Sequence, residues 1–288
     1  MSSSDPPIFP RIAIVGLGLV GGSIAFGAHR AWPSTHVVAI DREPVIRAAL
    51  SRRAIDASAD DLASVADADL IVLAAPVRQN ITLLQRVAAH ASPSAVITDV
   101  GGTKRAIVGA AAVLSPAVTF VGGHPLGGGA RGGFEFATAS LFARRPWIFT
   151  PHDRAGADAV GRLSAFVTGL GARPATLDAS EHDRLMALIS HLPQLATTAL
   201  MEVVGAAATT DGLRMAGQGL IDTTRLASSP AAVWRDICAT NADEISKALD
   251  LLIERLSEMR SDLQRTEMID AVFDDAARWR AELMKSWD

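Results

Sequence analysis

The 288-residue sequence has no tyrosine and only one cysteine, Cys238. The absence of tyrosine excludes the carbonyl reductases whose general acid is a tyrosine paired with a nearby lysine. A single cysteine excludes an intrachain disulfide, and it excludes any zinc or iron–sulfur site that needs several thiolates. Such sparse use of cysteine favours a reducing compartment.

Charge and hydropathy indicate which kinds of partner the protein is expected to have. The chain has 27 lysines and arginines against 31 aspartates and glutamates, so no basic surface for nucleic acid or an anionic membrane is indicated. No apolar run reaches the ~18–20 residues of a membrane span. The first ten residues lack the basic and apolar regions of an export signal. We therefore expect a cytoplasmic protein with neither a nucleic-acid nor a membrane partner.

Two zones with different periodicity divide the chain near residue 178. Up to about residue 175, short β-branched runs alternate with alanine-rich helical stretches, which is typical of βαβ units around a parallel sheet. We predict an α/β fold in which residues 1–177 form a doubly wound parallel sheet. The predicted strands are Arg11–Val15, His36–Ile40, Leu70–Ala74, Ala95–Val100, Val118–Val121, Trp147–Phe149 and Pro174–Leu177.

Residues 178–288 are predicted to form a second, all-helical domain. Ser180 is the expected N-cap of its first helix, which repeats apolar residues at helical spacing and should kink at Pro193. Two more amphipathic helices are expected over residues 241–265 and 271–287. Their apolar faces need a partner, either within the chain or on a second copy.

A glycine-rich turn follows the first predicted strand directly and opens a helix. Its sequence, GLGLVG at residues 16–21, has the G-x-G-x-x-G pattern of a Rossmann dinucleotide site. Asp41 ends the second strand, where a carboxylate can accept the ribose hydroxyls of NAD and repel the 2′-phosphate of NADP. We predict NAD rather than NADP, a preference that the neighbouring Arg42 would soften. The predicted cofactor-binding residues are Gly16, Leu17, Gly18, Leu19, Val20, Gly21, Asp41, Arg42, Ala75, Pro76 and Asp99.

Histidines provide the candidate chemistry. His124 lies in GGHPLGGG, after a predicted strand, where open α/β sheets place their ligands. Its residue type suits proton transfer near neutral pH, so we interpret it as a general base rather than a core residue. His191, in SHLP, is interpreted as part of a shaped site, whereas His182 is assigned to solvent or helix capping. The spacing of these histidines matches no metal site, so no metal is predicted.

Five segments together resemble the prephenate/arogenate dehydrogenase family of tyrosine biosynthesis. The similarity extends from about Arg11 to Trp234. It implies a Rossmann domain, a helical domain that forms a homodimer, a small-molecule substrate, and NAD(P)-dependent oxidative decarboxylation of prephenate or arogenate. The segments are GLGLVGGS, DVGGTK, GGHPLGGG, EHDRLMALISHLP and TRLASSPAAVW.

The resemblance also implies roles for individual residues. His124 matches the catalytic histidine of the family, His191 matches a substrate-binding histidine, and Arg225 matches the arginine that holds a substrate carboxylate. Gln194 and Gly128 are further expected substrate contacts.

Two departures from the family pattern concern the substrate. Gly102 stands where the family has a serine, and the adjacent Thr103 is therefore expected to act as the catalytic hydroxyl. The loop Gly127–Gly133 lacks the serine and glutamate that are common in the family. The preference between prephenate and arogenate is therefore left open.

Three alternatives remain at this point. The altered loop permits an amino-prephenate dehydrogenase of specialised metabolism. A β-hydroxyacid dehydrogenase has a similar architecture, but it relies on a lysine in the helical domain, and Lys247 and Lys285 lie on predicted surface helices. The absence of the serine at Gly102 favours a non-catalytic NAD-binding sensor, whereas the retention of His124 and His191 counts against one.

Overall fold

The computed structural model describes residues 6–128, 131–152 and 156–285. These residues form an eight-stranded sheet between two layers of helices, followed by a part that is helical only. The predicted α/β class, with a Rossmann-type sheet and a C-terminal all-helical part, is confirmed. The strands are β1 Arg11–Val15, β2 His36–Ile40, β3 Ala57–Ser58, β4 Leu70–Leu73, β5 Val96–Asp99, β6 Thr119–Pro125, β7 Pro146–Pro151 and β8 Arg173–Thr176.

The strand order is β3-β2-β1-β4-β5-β6-β7-β8, and neighbouring strands are parallel except for β6 and β7. The prediction of a parallel sheet is therefore wrong for that one pair. Strand β3 has only two residues, too few to show a pattern in the sequence. Strand β6 continues through His124 and Pro125, which were expected in a loop, because β7 pairs with it along that stretch.

Both faces of the central strands of the sheet are buried, whereas the edge strand β8 is exposed. In β1, Ile12 and Ile14 pack with the helices Leu19–Ala31 and Ala157–Gly169, whereas Ala13 and Val15 pack with the helices Val77–Ala88 and Arg105–Ala111. Successive side chains of a strand point to opposite faces, so a strand that is apolar at every position indicates helices on both sides. The helices of this part are α1 Leu19–Ala31, α2 Glu43–Ser51, α3 Val77–Ala88, α4 Arg105–Ala111 and α5 Ala157–Gly169.

The all-helical part begins one residue after Asp178. The Oδ1 atom of Asp178 accepts the N–H groups of Ser180 at 2.7 Å and Glu181 at 3.2 Å. The expected N-cap at Ser180 is therefore wrong, because the carboxylate two residues earlier satisfies the free N–H groups and also suits the positive end of the helix. The helices are α6 Ala179–Met186, α7 Leu192–Leu213, α8 Gln218–Thr223, α9 Ala231–Thr240, α10 Ala242–Asp262 and α11 Glu267–Lys285.

A wide π-helical turn, Ala187–His191, separates α6 from α7 just before Pro193, whereas the kink within α7 lies at Thr209. Pro193 is the second residue of α7 and has no N–H to donate to the preceding turn. A π turn is one way in which a helix accommodates such a gap, and π turns are frequent at functional sites. His191 is the last residue of this turn.

Two compact units divide the chain, the first ending at Ala242 and the second beginning at Asp243. The first unit contains the sheet together with α6 to α9. The helix expected over residues 271–287 is α11, and the last two of those positions lie outside the described residues. Within the described part of the chain, no helix combines the length and the hydropathy of a membrane span.

Candidate active site

The glycine-rich turn between β1 and α1 has the shape of a dinucleotide cradle. Gly16 has a φ of +101°, which side chains rarely tolerate, and a Cβ on Gly21 would lie 2.0 Å from the carbonyl oxygen of Gly16. A Cβ on Gly18 would meet nothing within 4 Å, so this glycine faces open space. The three positions therefore match the three requirements of the motif, which are a tight turn, close approach of a ligand, and helix–strand packing. Helix α1 begins at Leu19 without a side-chain cap, as an N-terminus that binds phosphate does.

Asp41 is held beside this turn. Its Oδ2 accepts the N–H of Leu17 at 2.6 Å, and its Oδ1 accepts the N–H of Arg42 at 2.6 Å. Each oxygen keeps a lone pair, and 18% of the side chain is exposed. A carboxylate at the end of β2 is the group that binds the ribose in Rossmann proteins. The side chain of Arg42 points into solvent, with 87% exposure.

The loop between β4 and α3 lies at the same edge of the sheet. Asn80 is buried in α3, accepts the N–H of Ala75 at 3.1 Å and donates to the carbonyl of Leu73 at 3.0 Å. Because β4 pairs in parallel with β1, this fixes Ala75 and Pro76 at the edge where the glycine-rich turn begins. Both remain candidates for cofactor contact.

Asp99 is not placed for its expected contact with a cofactor. It is fully buried, and its Oδ2 lies 2.5 Å from Nζ of Lys104, which is also fully buried. Its carboxylate also accepts the N–H groups of Gly101 at 2.8 Å and Gly123 at 3.1 Å. Burial lowers the pKa of Lys104, and the Asp99 carboxylate opposes that shift. We correct the expectation for Asp99 to a buried ion pair that joins the end of β5 to β6.

A chain of hydrogen-bonded side chains runs from β6 to α6. Nδ1 of His124 lies 2.9 Å from Nε2 of His182, and Nδ1 of His182 lies 2.8 Å from Oδ1 of Asp183. His182 and Asp183 are fully buried. The expected assignment of His182 to solvent or capping is wrong, because a contact across 58 positions buries it against His124.

The partners of these rings determine where their protons lie. The Asp183 carboxylate can only accept, so His182 donates from Nδ1 and, in its neutral form, accepts at Nε2. His124 then donates from Nδ1, which leaves a free lone pair on Nε2. That nitrogen faces Gly102, on which a Cβ would lie 3.9 Å away.

The electrostatics favour a neutral His124 and an ionised Asp183. Burial lowers the pKa of His124 well below its usual value, and neighbouring basic side chains shift it in the same direction. Burial would raise the pKa of Asp183, but hydrogen bonds from His182 and from two backbone N–H groups lower it overall. A neutral ring with a fixed negative charge behind it is suited to accept a proton.

His191 is buried in the same region. Burial lowers its pKa to about 4, with the Asp183 carboxylate opposing this shift and His182 adding to it. The ring of Trp234 packs edge-to-face against it at a centroid distance of 6.0 Å, and Nδ1 of His191 lies 3.4 Å from Nδ2 of Asn241. His191 is therefore a neutral hydrogen-bonding group at physiological pH.

Thr103 is not placed to act as the expected catalytic hydroxyl. It is fully buried, and its Oγ1 lies 2.7 Å from Oγ1 of Thr240. Thr240 already donates to a backbone carbonyl of α9, so Thr103 donates to Thr240. We correct its role to packing against α9. The free nitrogen of the histidine chain instead faces Gly102, where a Cβ would lie 3.4 Å from Cδ1 of Ile237.

Gln194 supports the turn that begins at Arg225. The amide nitrogen of Gln194 donates to the carbonyl of Leu226 at 2.7 Å and to a threonine hydroxyl one turn along α7. Its oxygen accepts the hydroxyl of Ser229 at 3.0 Å. Because both amide hydrogens are engaged, we correct its expected role from substrate contact to support. Arg225 itself is exposed, at the first residue of the 3₁₀ turn Arg225–Ser228.

Gly128 is exposed and has open space around it. The rest of the expected substrate loop lies partly outside the described residues, at positions 129 and 130. No group of three or more histidine, cysteine, aspartate or glutamate side chains within the described ranges has a geometry that could hold a metal ion.

Comparison with known proteins identifies the family. Residues 25–176 match the profile of the prephenate dehydrogenase nucleotide-binding domain, and residues 178–273 match the prephenate dehydrogenase dimerization domain. The chain belongs to the prephenate dehydrogenase family. This confirms the resemblance seen in the five sequence segments, and it makes the protein an oxidoreductase by family.

Individual relatives align with this chain, in sequence or in structure, over most of their own length. The prephenate dehydrogenase of Bacillus subtilis is 34% identical over 262 residues, which cover 89% of this chain and 71% of that protein. The structure of the Aquifex aeolicus prephenate dehydrogenase, in complex with hydroxyphenyl propionate and NAD+, has a TM-score of 0.87 at 26% identity over 95% of this chain and 98% of that one. Synechocystis arogenate dehydrogenase has a TM-score of 0.81 at 25% identity, with 95% and 99% covered.

Sequence reasoning missed four polar residues of this prephenate dehydrogenase family member. They are all fully buried, which is rare for such groups unless they are paired. Two signals were available: an adjacent histidine and aspartate on one helix, and a lysine in a chain with only three. The missed residues are Lys104, His182, Asp183 and Asn241.

Proposed function

We propose that this protein oxidatively decarboxylates prephenate or arogenate with NAD as hydride acceptor, and that His124 is the proton acceptor. The free Nε2 of His124, oriented by His182 and Asp183, supports this most directly. It lies at the carboxyl end of β6, the edge of the sheet that also holds the glycine-rich turn. The names of the relatives from Bacillus subtilis and Synechocystis support both substrates.

His124 transfers the proton in this reaction. When bound, NAD accepts a hydride from the ring carbon that carries the hydroxyl. His124 Nε2 accepts the proton of that hydroxyl as the carbon–oxygen bond gains double-bond character. The ring carboxylate leaves as CO2, its electron pair makes the ring aromatic, and His124 returns the proton to the phenolate oxygen.

The hydrogen bonds from His124 through His182 to Asp183 compensate for the low basicity of His124. After Nε2 has accepted a proton, the proton on Nδ1 can shift to Nε2 of His182 along the 2.9 Å contact. The resulting imidazolium is hydrogen-bonded to Asp183. The positive charge thereby moves away from the half-buried His124 ring, whose pKa is lowered by burial and by its neighbours, to the His182 ring, which is paired with a carboxylate.

NAD occupies the glycine-rich turn in this proposal. The turn Gly16–Gly21, with Leu17, Leu19 and Val20, encloses the pyrophosphate, while Asp41 accepts the ribose hydroxyls. The remaining lone pairs of Asp41 fit that role, and its negative charge disfavours the 2′-phosphate of NADP. Ala75 and Pro76 border the same edge.

Anionic groups of the substrate are bound by His191 and Arg225, with Gly128 at the border of the site. A planar guanidinium suits a carboxylate because it donates two parallel hydrogen bonds. Within the described residues the guanidinium of Arg225 has no ion-pair partner, and it is exposed. His191 contributes a neutral N–H donor.

The active protein is a cytoplasmic homodimer in this proposal. The match of residues 178–273 to a dimerization domain supports the dimer. Large apolar side chains exposed on α10 and α11 support it as well, because monomers rarely leave such patches uncovered. Light scattering after size exclusion tests it. The side chains are Leu251, Ile253 and Leu256 on α10 and Phe273 and Trp279 on α11.

The decisive experiment compares kcat/KM for prephenate, arogenate and an amino-substituted prephenate, each with NAD and with NADP.

Substitution His124→Asn should lower kcat by about 10²–10⁴-fold, the usual contribution of a general base. His90→Asn, at an exposed position, serves as the matched control and should leave turnover unchanged. Near-normal kcat in His124→Asn at saturating substrate would contradict the assignment.

The alternatives have less support. A β-hydroxyacid dehydrogenase needs a lysine in its site, but Lys247 and Lys285 are exposed and pair with glutamates on their own helices, Glu244 and Glu282. NAD binding without reduction in the presence of any of the three substrates would favour the non-catalytic sensor.

A further inference from the structure

A buried amide, Asn241, connects His191 to the base of helix α6. Nη2 of Arg105 donates to Oδ1 of Asn241 at 2.9 Å. Nδ2 of Asn241 donates to the backbone carbonyl of Asp183 at 2.8 Å and faces Nδ1 of His191 at 3.4 Å. Asn241 is fully buried, so these are the groups that determine its orientation.

The orientation of this amide is unambiguous. A guanidinium can only donate, and a backbone carbonyl can only accept, so Oδ1 of Asn241 must face Arg105 and Nδ2 must face Asp183. The second hydrogen on Nδ2 therefore points to Nδ1 of His191. Nδ1 of His191 accepts, and the proton of the neutral ring lies on Nε2.

We propose that Asn241 is a positioning residue that holds His191 as the Nε2–H tautomer, so that His191 donates a hydrogen bond to an anionic group of the substrate. The opposite tautomer is set in His124, whose Nε2 is free because His182 and Asp183 take the proton of Nδ1. The two histidines thus have complementary roles, one as donor and one as acceptor. Only the nature of the anion rests on the proposed function.

Arg105 contacts the residues that orient both histidines, Asn241 behind His191 and Asp183 behind His182 and His124. Its Nη2 fixes Asn241, while its backbone N–H and its Nε lie 2.9 Å and 3.4 Å from Oδ2 of Asp183. One guanidinium therefore orients the amide behind His191 and the carboxylate behind the His124 chain.

The tautomer matters because His191 has only one ring proton to offer. With a pKa of about 4 it is neutral at physiological pH. The charged and titratable groups that face it are Asp183 and His182 from α6, and the ring of Trp234 covers it from α9. A neutral imidazole with its lone pair on Nε2 would repel a carboxylate, whereas Nε2–H binds one.

Nitrogen NMR of histidine-labelled protein tests this without substrate or turnover. His191→Asn and His124→Asn assign the two rings among the seven histidines. We expect a protonated Nε2 and an unprotonated Nδ1 in His191, and the reverse in His124. A protonated Nδ1 in His191, or an average of both tautomers, would overturn the proposal.

Two substitutions at Asn241 add a readout that a purely structural role would not change. Asn241→Ala removes the donor without adding charge, so we expect affinity for hydroxyphenyl propionate to fall about tenfold, equally at all pH values from 6 to 9. Asn241→Asp makes the ring donate from Nδ1, so the ring can donate from Nε2 only as an imidazolium. Its affinity should therefore fall further as pH rises.

The outcomes separate this inference from the proposed function. A flat pH profile for Asn241→Asp, equal to that of Asn241→Ala, would contradict the tautomer assignment. If the wild-type protein neither binds hydroxyphenyl propionate nor turns over prephenate or arogenate, the proposed function fails, while the NMR result still decides the tautomers. NMR on the wild-type protein also decides the question if either variant fails to fold.

Discussion

Removal of the buried charge of Lys104 should affect both stability and chemistry. Lys104→Met keeps an unbranched side chain, one atom shorter, but removes its ammonium group. Lys104 and Asp99 are fully buried, and Nζ of Lys104 also donates to the carbonyl of Gly123 at 2.8 Å. The substitution therefore leaves one buried carboxylate without its cation and one carbonyl without its donor.

The expected loss follows from these contacts. Breaking a buried ion pair by removing one partner costs about 3–5 kcal/mol. Asp99 keeps hydrogen bonds from Gly101 and Gly123, which favours the lower end, about 3 kcal/mol. At roughly 2–4 °C per kcal/mol for a protein of this size, Tm should fall by about 6–12 °C.

Thermal unfolding of Lys104→Met and of a control, Lys247→Met, checks the magnitude. The side chain of Lys247 is 67% exposed and pairs with Glu244 on its own helix, so its substitution should have little effect. The double variant Lys104→Met with Asp99→Asn removes both charges and should recover part of the loss. If Lys104→Met lowers Tm no more than the control, the ion pair does not stabilise the fold.

Lys104→Met also has a kinetic consequence. The charge of Lys104 contributes to the low pKa of His124, after burial and His182. Its removal should raise that pKa, so the acid limb of kcat/KM should move to higher pH. An unchanged profile would mean that the two groups are not coupled.

Three further predictions concern the site. Because the pKa values of His124 and His191 are lowered from about 6.5, both rings should stay neutral as the pH falls through 6.5. The value of kcat/KM should therefore decline only below pH 6.5. An acid limb at or above pH 6.5 would contradict a neutral base. Arg225→Ala should raise KM about tenfold or more with little change in kcat, and the reverse pattern would remove Arg225 from the binding role. Asp41→Ala should raise KM for NAD more than for NADP, whereas the exposed Arg42→Ala should change the NAD value little; equal effects on both cofactors would refute selection by Asp41.

Much of the sheet was predictable because its signals are local. The β-branched run Arg11–Val15 and the glycine turn after it specify strand, turn and helix within 21 residues, from Arg11 to Ala31. Strand β6 was predicted too short because its last residues, including His124 and Pro125, are held by pairing with β7, and glycine and proline favour a loop when the partner is unknown.

The site was only partly predictable because its key contacts join distant residues. His124 was identified by its setting, but its contact with His182 spans 58 positions, and Arg105 meets Asn241 across 136. The functional groups of Thr103 and Gln194 are the sequence-based reason to expect contact with a substrate. The structure shows those groups engaged with Thr240 and with the turn after Arg225, which sequence spacing does not reveal.

The hydrogen bond between His124 and His182 also bears on what a truncated fragment of the enzyme would retain. His124 belongs to the sheet, but the group that orients it belongs to the helical part. A fragment ending near residue 177 would retain the glycine-rich turn and Asp41, yet its histidine would be free to adopt either tautomer. We therefore expect such a fragment to keep the cofactor-binding residues but to lack an oriented base, because His182 and Asp183 belong to the missing segment.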